Sequence, residues 1–586
     1  MSRRLPRGLS RAGHLVAVGA LLAASSVVAA GCASVPDSSP VQVLRKVTEG
    51  DDRAVPPGPS EDSGPLDIVR GFVNASGSSQ DRHAAARRFL TLTAANWDDD
   101  ATLTVIAEQF DTVYPRKPPA LDADRTVVRV RGTSLGRLTP SGAFELDEAP
   151  LEFDFTLTRR NGNWRIDTLP SGVRVRLSDF RANYRSVKTY FVDPARQAPV
   201  ADLRYLPANP ARTLPSRAIE QLMAGPSSAL AGAVYSVIPR TARLRANVAE
   251  APDGAVVVDL TELGNLDEGR RRLLAAQVVL SLAEVNVNRV RLLDDGARLL
   301  SDRDDLTRDA FADMDAEDEP TPDVPGMVVA GGRVRSLRTG GLGDPLPGPA
   351  GSGGLDLASA SATADGRRLA VVSRADGRRL LVGRPGAPLE ATGLRAESMT
   401  RPSWTPTGSE AWTVLDGSRV TRLTVDHSGH LGVGTVDGAA LTALGPITDL
   451  RLSRDGMRVA AVVAGQLVVG AVARSVGGEV AVRNVRMLRS ADLTELVGLA
   501  WRNSDQIVVV GRRPDRAVEV VTVDGLECQP LPTNNLTLPL SAVAAAPGRP
   551  LLVTDQTGLW SFGADDLGSW RQLVGSVAGS VAAYPG

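Results

Sequence analysis

This chain has few of the side chains that most enzymes use for catalysis or metal binding. It contains 586 residues, of which only four are histidine and two are cysteine. Neither a His-Glu-x-x-His motif nor a Cys-x-x-Cys pair occurs, so zinc binding is not supported. A Walker loop and a pair of catalytic carboxylates are also not apparent. We therefore expect no enzyme activity, no metal and no cofactor.

Net charge and long apolar runs are also limited. The formal net charge is −1, which argues against nucleic acid as a partner. Lysine occurs three times, so almost all basic residues are arginine, which we attribute to high-GC coding. Beyond residue 30 no apolar run is long enough to span a bilayer. The 43% hydrophobic content and the length predict several globular domains.

The N-terminus has the three parts of an export signal. It begins with Arg3, Arg4, Arg7 and Arg11, which precede an apolar run at 15–30 and then Gly31-Cys32. A small residue before a cysteine is typical of the bacterial lipobox, which predicts a lipoprotein signal peptide at 1–31. Cys32 would then carry an S-diacylglycerol and an N-acyl (palmitate) chain, enough for stable anchoring at the extracytoplasmic face of the cell membrane. The alternative is ordinary secretory cleavage that leaves a free thiol.

Residues 32–64 are rich in Ser, Pro, Asp and Gly, which predicts a flexible tether. Residues 65–183 then predict an α+β domain, with one helix after Pro65 and a second from Asp81 to Leu92. Strands follow, and Asn161-Gly162 predicts a tight hairpin turn. This order resembles NTF2-like or cystatin-like folds, which often contain a pocket. A spacer or docking module is the alternative that we favour.

Residues 184–301 alternate between strands and helices. Strands are predicted at 187–192, 201–206, 242–248, 255–260 and 290–293. A helix over 214–224 begins at a proline and ends at Gly225-Pro226, and a longer helix covers 269–284.

This second region resembles the GerMN domain of exported bacterial envelope proteins. The resemblance rests on Ala218-Ile219 with Gly225-Pro226, Ile238-Pro239, Val258-Asp259-Leu260, Gln277-Val278-Val279 and Asn288-Arg289-Val290. GerMN domains have no established catalytic residues. Asp259 is a candidate carboxylate, but an Asp after a buried strand more often binds a neighbouring loop.

Residues 302–323 contain ten acidic side chains and predict a solvated linker. The spacing from Asp313 to Glu317 is similar to the start of a calcium loop. It lacks the glycine and the bidentate glutamate that such a loop requires.

A turn motif recurs from residue 324 to 586. Its turns lie at Gly366, Gly408, Gly456, Asp505 and Gly548, at intervals of 42, 48, 49 and 43 residues. A period near 40–50 residues with short strands is typical of a β-propeller, here with roughly six blades. The complete chain is therefore predicted to be multidomain, α+β followed by all-β.

Two short motifs resemble catalytic sites. Gly132-Thr-Ser134-Leu-Gly136 matches the nucleophile-elbow pattern, but no helix is predicted after it. Asp426-His-Ser-Gly-His430 could form a polar cluster, although a propeller turn is the better interpretation. We expect no catalytic residue in either.

The predicted order of parts in this chain resembles that of the lipoprotein LpqB family. The order is a lipobox, a tether, an α+β domain, a GerMN-like domain and a propeller. The resemblance implies a membrane-anchored lipoprotein outside the cell of a high-GC Gram-positive bacterium. It also implies that the partner is the extracellular domain of the sensor kinase MtrB of the MtrAB two-component system, linked to envelope and division control. An envelope glycan-binding protein and a structural scaffold lipoprotein are the alternatives.

Overall fold

The computed structural model describes residues 56–586 apart from 121, 315–323, 339–340, 376, 476, 564–567 and 578. The described residues belong to one compact unit. Cys32, the predicted signal peptide and most of the predicted tether lie outside the described residues.

The N-terminal domain packs a helix against a six-stranded sheet. Helix α1 (Pro65–Ala75) begins at a proline and buries Ile68, Val69, Phe72 and Val73 on one face. The sheet has the order β5-β4-β3-β1-β6, with β2 paired to β3. The strands are β1 (Leu103–Ile106), β2 (Asp111–Val113), β3 (Arg125–Leu138), β4 (Phe144–Arg160), β5 (Asn163–Thr168) and β6 (Val173–Arg176). The α+β prediction is confirmed.

The hairpin turn is also confirmed. Asn161 and Gly162 have φ values of 51° and 84° between β4 and β5. Two consecutive positive φ angles define the turn that matches the twist of a two-residue hairpin, and Asn-Gly adopts them readily.

The second predicted helix is wrong for most of its length. Only α2 (Ala84–Arg87) is helical, and a 3-10 turn follows at Thr93–Asn96. Asp81, Arg82 and His83 have φ values of 46°, 54° and 56°, a left-handed turn that disfavours helix. Arg82 and Arg87 both donate to the buried carboxylate of Asp99, at 2.9 and 2.8 Å. This tertiary contact holds the turn against the local helix preference.

The middle domain begins with a long hairpin, β7 (Tyr184–Asp193) and β8 (Ala198–Pro207), after the short helix α3 (Leu177–Asn183). Helices α4 (Leu214–Met223) and α5 (Glu268–Ala283) pack against it. The remaining strands are β9 (Arg243–Leu244), β10 (Ala249–Glu250), β11 (Val256–Thr261), β12 (Val290–Asp294) and β13 (Ala297–Arg298). The predicted strand over 242–248 is therefore wrong except for its two paired residues.

Helix α5 is fixed to the hairpin by a buried amide. Gln277 accepts a hydrogen bond from Val237 N at 2.7 Å and donates one to Tyr190 O at 2.8 Å. The amide satisfies two backbone groups inside an apolar core, where unpaired polar groups are costly.

The first part of the acidic segment differs from the predicted solvated linker. Leu306 exchanges two backbone hydrogen bonds with Val290, and a 3-10 segment follows at Arg308–Met314. Phe311 is only 1% exposed and belongs to the core of the middle domain. The two apolar side chains hold the segment between them, which includes the exposed Asp309, on the domain surface. Residues 315–323 lie outside the described residues.

The C-terminal domain is a propeller of six four-stranded blades, which confirms the predicted architecture. Blade 1 contains β37 (Val581–Ala583), β14 (Met327–Ala330), β15 (Arg333–Arg338) and β16 (Gly341–Pro345). Blade 2 contains β17 (Leu357–Ala362), β18 (Leu369–Ser373), β19 (Arg378–Gly383) and β20 (Glu390–Ala396). Blade 3 contains β21 (Ser403–Trp404), β22 (Glu410–Leu415), β23 (Arg419–Val425) and β24 (Leu431–Thr435).

The other three blades follow in chain order. Blade 4 contains β25 (Ile447–Leu452), β26 (Arg458–Val463), β27 (Gln466–Arg474) and β28 (Val480–Met487). Blade 5 contains β29 (Leu496–Trp501), β30 (Gln506–Gly511), β31 (Val518–Thr522) and β32 (Cys528–Pro530). Blade 6 contains β33 (Ala542–Ala544), β34 (Leu551–Thr554), β35 (Gly558–Phe562) and β36 (Arg571–Gly575). Short helices α6 (Pro349–Ser352) and α7 (Ala439–Thr442) lie between blades.

The last strand of the chain closes the ring. Strand β37 pairs antiparallel with β14, so blade 1 combines strands from both ends of the domain. The recurring turns join the first and second strands of blades 2 to 6. In the first of them Arg368 N donates to Thr363 Oγ1 at 3.1 Å, and Ser453 and Arg458 repeat this bond at 2.9 Å in blade 4.

Candidate functional site: the junction of the three domains

Hairpin β7–β8 lies where the middle domain meets the propeller. The hydroxyl of Tyr205 donates a hydrogen bond of 2.9 Å to Oδ2 of Asp524, in the turn between β31 and β32. Oδ1 of the same carboxylate accepts from Thr522 Oγ1 at 2.6 Å and from Leu526 N at 3.1 Å. Burial raises the pKa of Asp524 above its ordinary value, while these three donors lower it. Burial, with the Asp524 charge next, also raises the pKa of Tyr205.

Two buried arginines connect this hairpin to both neighbouring domains. Arg204 is fully buried and donates to Ser141 O of the N-terminal domain at 2.7 Å and to Asp202 Oδ2 at 2.8 Å. Arg458 of the propeller donates to Ala201 O at 2.5 Å and pairs with Asp455 at 3.2 Å. Each guanidinium donates a hydrogen bond across a domain boundary. A hydrogen bond to a charged group typically contributes about 1.5–3 kcal/mol, so these contacts hold the three domains in one arrangement.

A cavity of about 370 Å³ lies at the same junction. Phe180 and Tyr184 form one wall, with ring centroids 4.5 Å apart and planes 8° apart. On the opposite wall Glu527 of the propeller accepts from Arg181 Nε at 2.8 Å. The cavity is lined by residues of all three domains, so its shape depends on how they are arranged.

The centre of the propeller is crossed by arginine side chains. Arg401 donates to Ala582 O of blade 1, and Arg451 donates to Arg401 O at 2.9 Å. Asp449 pairs with Arg451 at 2.7 Å and accepts from Leu499 N at 3.2 Å. Burial, and next the Arg451 charge, lower the pKa of Arg401. These contacts join blades 1, 3, 4 and 5 across the axis.

The carboxylate of Asp259 binds a neighbouring loop. Its Oδ1 accepts a hydrogen bond of 3.0 Å from Gly296 N, in the turn between β12 and β13, and Arg245 lies 3.6 Å from the carboxylate. The interpretation of Asp259 as a loop-binding residue is confirmed.

The two catalytic-looking motifs form ordinary structure. Ser134 lies inside β3, next to a bulge, and is 8% exposed. Asp426 Oδ1 accepts from Ser428 N and His430 N, both at 2.9 Å, in the turn between β23 and β24. The Ser428 hydroxyl bond, with these amides, holds the pKa of Asp426 below its ordinary value. The propeller-turn interpretation is confirmed.

The second cysteine is held as a thiol. Cys528 Sγ donates to Glu519 Oε2 at 2.8 Å, and burial together with Glu519 raises the pKa of the thiol strongly. A thiol with a raised pKa is a poor nucleophile. Cys32 lies outside the described residues, and its lipid attachment stays a prediction.

Within the described residues, no group of three or more His, Cys, Asp or Glu is placed to hold a metal ion. In the same part of the chain, none of the helices combines the length and apolarity that a bilayer crossing needs.

Sequence patterns did not indicate the junction residues Arg204, Tyr205, Asp524 and Arg458. One signal was available, since Thr522-x-Asp524-Gly525 repeats the turn motif of Ser453-x-Asp455-Gly456. The hairpin has no comparable signal, because its contacts with the propeller join residues more than 250 positions apart.

Three family models match successive parts of the chain. They are "Lipoprotein LpqB, N-terminal domain" at 58–181, "Sporulation and spore germination" at 188–300 and "Lipoprotein LpqB beta-propeller domain" at 332–585. Among solved structures, the β-propeller domain of Myceliophteria_thermophila Cps50 (Swd1) overlaps 36% of this chain and 67% of its own, with 13% identity and a TM-score of 0.27. That overlap is too small to support an argument.

Curated relatives match over almost the whole chain. Lipoprotein LpqB of Nocardia farcinica is 32% identical, with 96% of this chain and 97% of the relative covered. Lipoprotein LpqB of Mycolicibacterium smegmatis is also 32% identical, covering 95% and 97%. With about 32% identity over nearly the whole length of both chains, this chain belongs to the lipoprotein LpqB family.

Proposed function

We propose that this protein is a lipid-anchored accessory of an MtrAB-type sensor histidine kinase, bound to the kinase's extracytoplasmic domain and without catalytic activity of its own. The anchor is Cys32, and the described domains form the body that meets the kinase outside the cell. Membership of a lipoprotein family supports the anchor. The lipobox pattern supports its position.

The observation that carries the proposal is the junction of the three domains. Arg204, Tyr205 and Arg458 join the domains through buried hydrogen bonds, so a contact made by one domain bears on the others. An accessory changes a kinase only if it binds the kinase's two states with different affinity. A body with fixed internal geometry has less freedom to adapt to both states, which favours such a difference.

The lipid anchor favours binding to the kinase by raising the effective concentration of the protein near it. Confining two proteins to one membrane surface raises their effective concentration without any new contact, as a linker does for two joined modules. The accessory can then act through a weak interface.

The first experiment replaces Cys32 with Ala and measures kinase phosphorylation in cells. We expect the protein to be released and most of its effect on the kinase to be lost. Cys528→Ala is the matched control, because it removes the other cysteine and should leave anchoring and signalling intact. A released Cys32→Ala protein that modulates the kinase as strongly as the anchored one would contradict the proposal.

The second experiment mixes the released Cys32→Ala protein with the purified extracytoplasmic domain of the kinase and measures binding by calorimetry. We expect saturable binding with one site for each chain. Muropeptides serve as the competing ligand. Binding of muropeptides without binding of the kinase domain would instead favour a glycan-binding lipoprotein.

A further inference from the structure

An arginine-lined groove lies between blades 2 and 3 of the propeller. Its volume is about 770 Å³, and its walls include Arg367, Arg368 and Arg384 together with Thr363 and Thr407. A groove of this volume is within the range that ligands and peptide side chains occupy.

The charges in the groove do not balance. Among the lining residues that the structure describes, Asp365 is the one carboxylate, and it lies 3.7 Å from the Arg367 side chain, which is 85% exposed. Arg368 is held by a 2.7 Å hydrogen bond to Gly408 O. Within the described residues no hydrogen bond or ion pair engages the exposed guanidinium of Arg384. In the described lining of the groove, three positive charges thus face one negative charge, in a chain whose net charge is −1.

The position of the groove favours contact with a partner. In each antiparallel blade, the turn between the first and second strands and the turn between the third and fourth strands lie at the same end. Because the blades share one strand order, these turns all lie at one end of the propeller. At this end blades 4 and 5 contact the middle domain, through Asp455 and Asp524. The groove opens at the same end in blades 2 and 3, formed by the turns at 363–368 and 405–408.

We propose that this groove binds an extended acidic segment of a protein partner. Guanidinium groups match carboxylates in shape and charge and bind them with two parallel hydrogen bonds. Side chains on one face of an extended segment repeat every two residues, about 7 Å apart, so one segment can present several carboxylates to the groove. A flat bilayer surface would meet the rim of a concave groove, which favours the protein segment over anionic lipid.

The test uses the Cys32→Ala protein and a synthetic peptide of alternating Glu and Ser residues, measured by fluorescence anisotropy. We expect saturable binding. Its affinity should fall steeply as the salt concentration is raised from about 0.05 to about 0.5 M, because exposed ion pairs are screened. Replacing both Arg367 and Arg384 with Gln should weaken binding about tenfold, the effect of losing two exposed ion pairs of ordinary strength.

The matched control replaces Arg240 and Arg395 with Gln, which removes the same charge from exposed positions outside the groove. Its affinity should stay within about twofold of the native value, since distant exposed charges are largely screened at physiological salt. Equal loss in both double variants would show a general charge effect and overturn the proposal.

Two further competition experiments test whether the groove binds other anions more tightly than the peptide. Inorganic phosphate and vesicles containing phosphatidylglycerol are each tested as competitors of the bound peptide. The proposal expects weak competition by both. Tighter binding of either one than of the peptide, with the same dependence on Arg367 and Arg384, would overturn it. None of these arms uses the kinase, so their failure would leave the proposed function untouched.

Discussion

Tyr205 and Asp524 lie 319 positions apart in the chain and meet through a 2.9 Å hydrogen bond between the middle domain and the propeller. Both are 5% exposed, so water does not readily replace the bond. The pair connects the two domains at a turn that repeats the general blade motif. Its energetics can be measured independently of any partner.

Replacing Tyr205 with Phe should lower the free energy of unfolding by about 1–2 kcal/mol, because a buried carboxylate loses a donor. The measurement is urea denaturation. Tyr235→Phe is the control, since it removes an exposed hydroxyl that bonds Gln197 at 2.8 Å, and should change stability by less than about 0.5 kcal/mol. Equal effects of the two substitutions would mean that the junction bond contributes nothing beyond a surface contact.

The free energy of unfolding should depend on pH because the carboxyl group of Asp524 titrates differently in the folded and unfolded states. Because burial raises its pKa in the folded state above 3.8, the folded protein holds this proton more tightly than the unfolded chain. The contribution of Asp524 to stability is therefore full below pH 3.8 and declines as pH rises through the raised pKa, by at most about 1.4 kcal/mol per pH unit.

Asp524→Asn isolates this dependence, since the amide keeps an acceptor for Thr522 and does not ionise. The native protein should lose stability relative to the variant as pH rises across that interval. Unfolding free energies of both proteins, measured at several pH values, give the difference. A difference that grows in favour of the native protein with rising pH would rule out the assigned shift.

Trp501 joins two blades through its indole. Its Nε1 donates to Arg451 O at 3.1 Å, so Trp501→Phe should destabilise the protein by about 1–2 kcal/mol by leaving that carbonyl without its donor. Trp560→Phe is the control, because it removes an exposed bond to Thr557 at 3.3 Å. Thermal unfolding should show a lower midpoint for the first variant only. An equal shift in both would contradict the role of the inter-blade bond.

Two substitutions of Asp259 test whether its carboxylate has only a structural role or also a role in function. Asp259→Asn retains an oxygen that accepts from Gly296 N and should change the free energy of unfolding by less than about 0.5 kcal/mol. Asp259→Ala loses the acceptor and should cost about 1 kcal/mol. Under the proposed function, both variants should modulate the kinase as strongly as the native sequence does. Loss of that effect in the Asn variant, with stability unchanged, would point to a role for the charge itself.

Local patterns predicted much of the fold. The apolar face after Pro65, the Gly225-Pro226 stop and the repeated blade turns correspond to elements in the structure. Prediction failed where a distant contact changed the local preference. The left-handed turn at Asp81–His83 depends on Asp99, and the acidic segment folds onto the middle domain through Phe311.

The sequence by itself determined the order of the domains, a propeller of roughly six blades and the chemical identity of each recurring turn, because these follow from periodicity and from residues close together in the chain. Only the tertiary structure decided that Arg204, Tyr205 and Arg458 join three domains, and that Arg367 and Arg384 share a groove. The physical reason is that charge pairing and burial depend on distance in space, and residues that meet after folding leave no periodic signal in the chain.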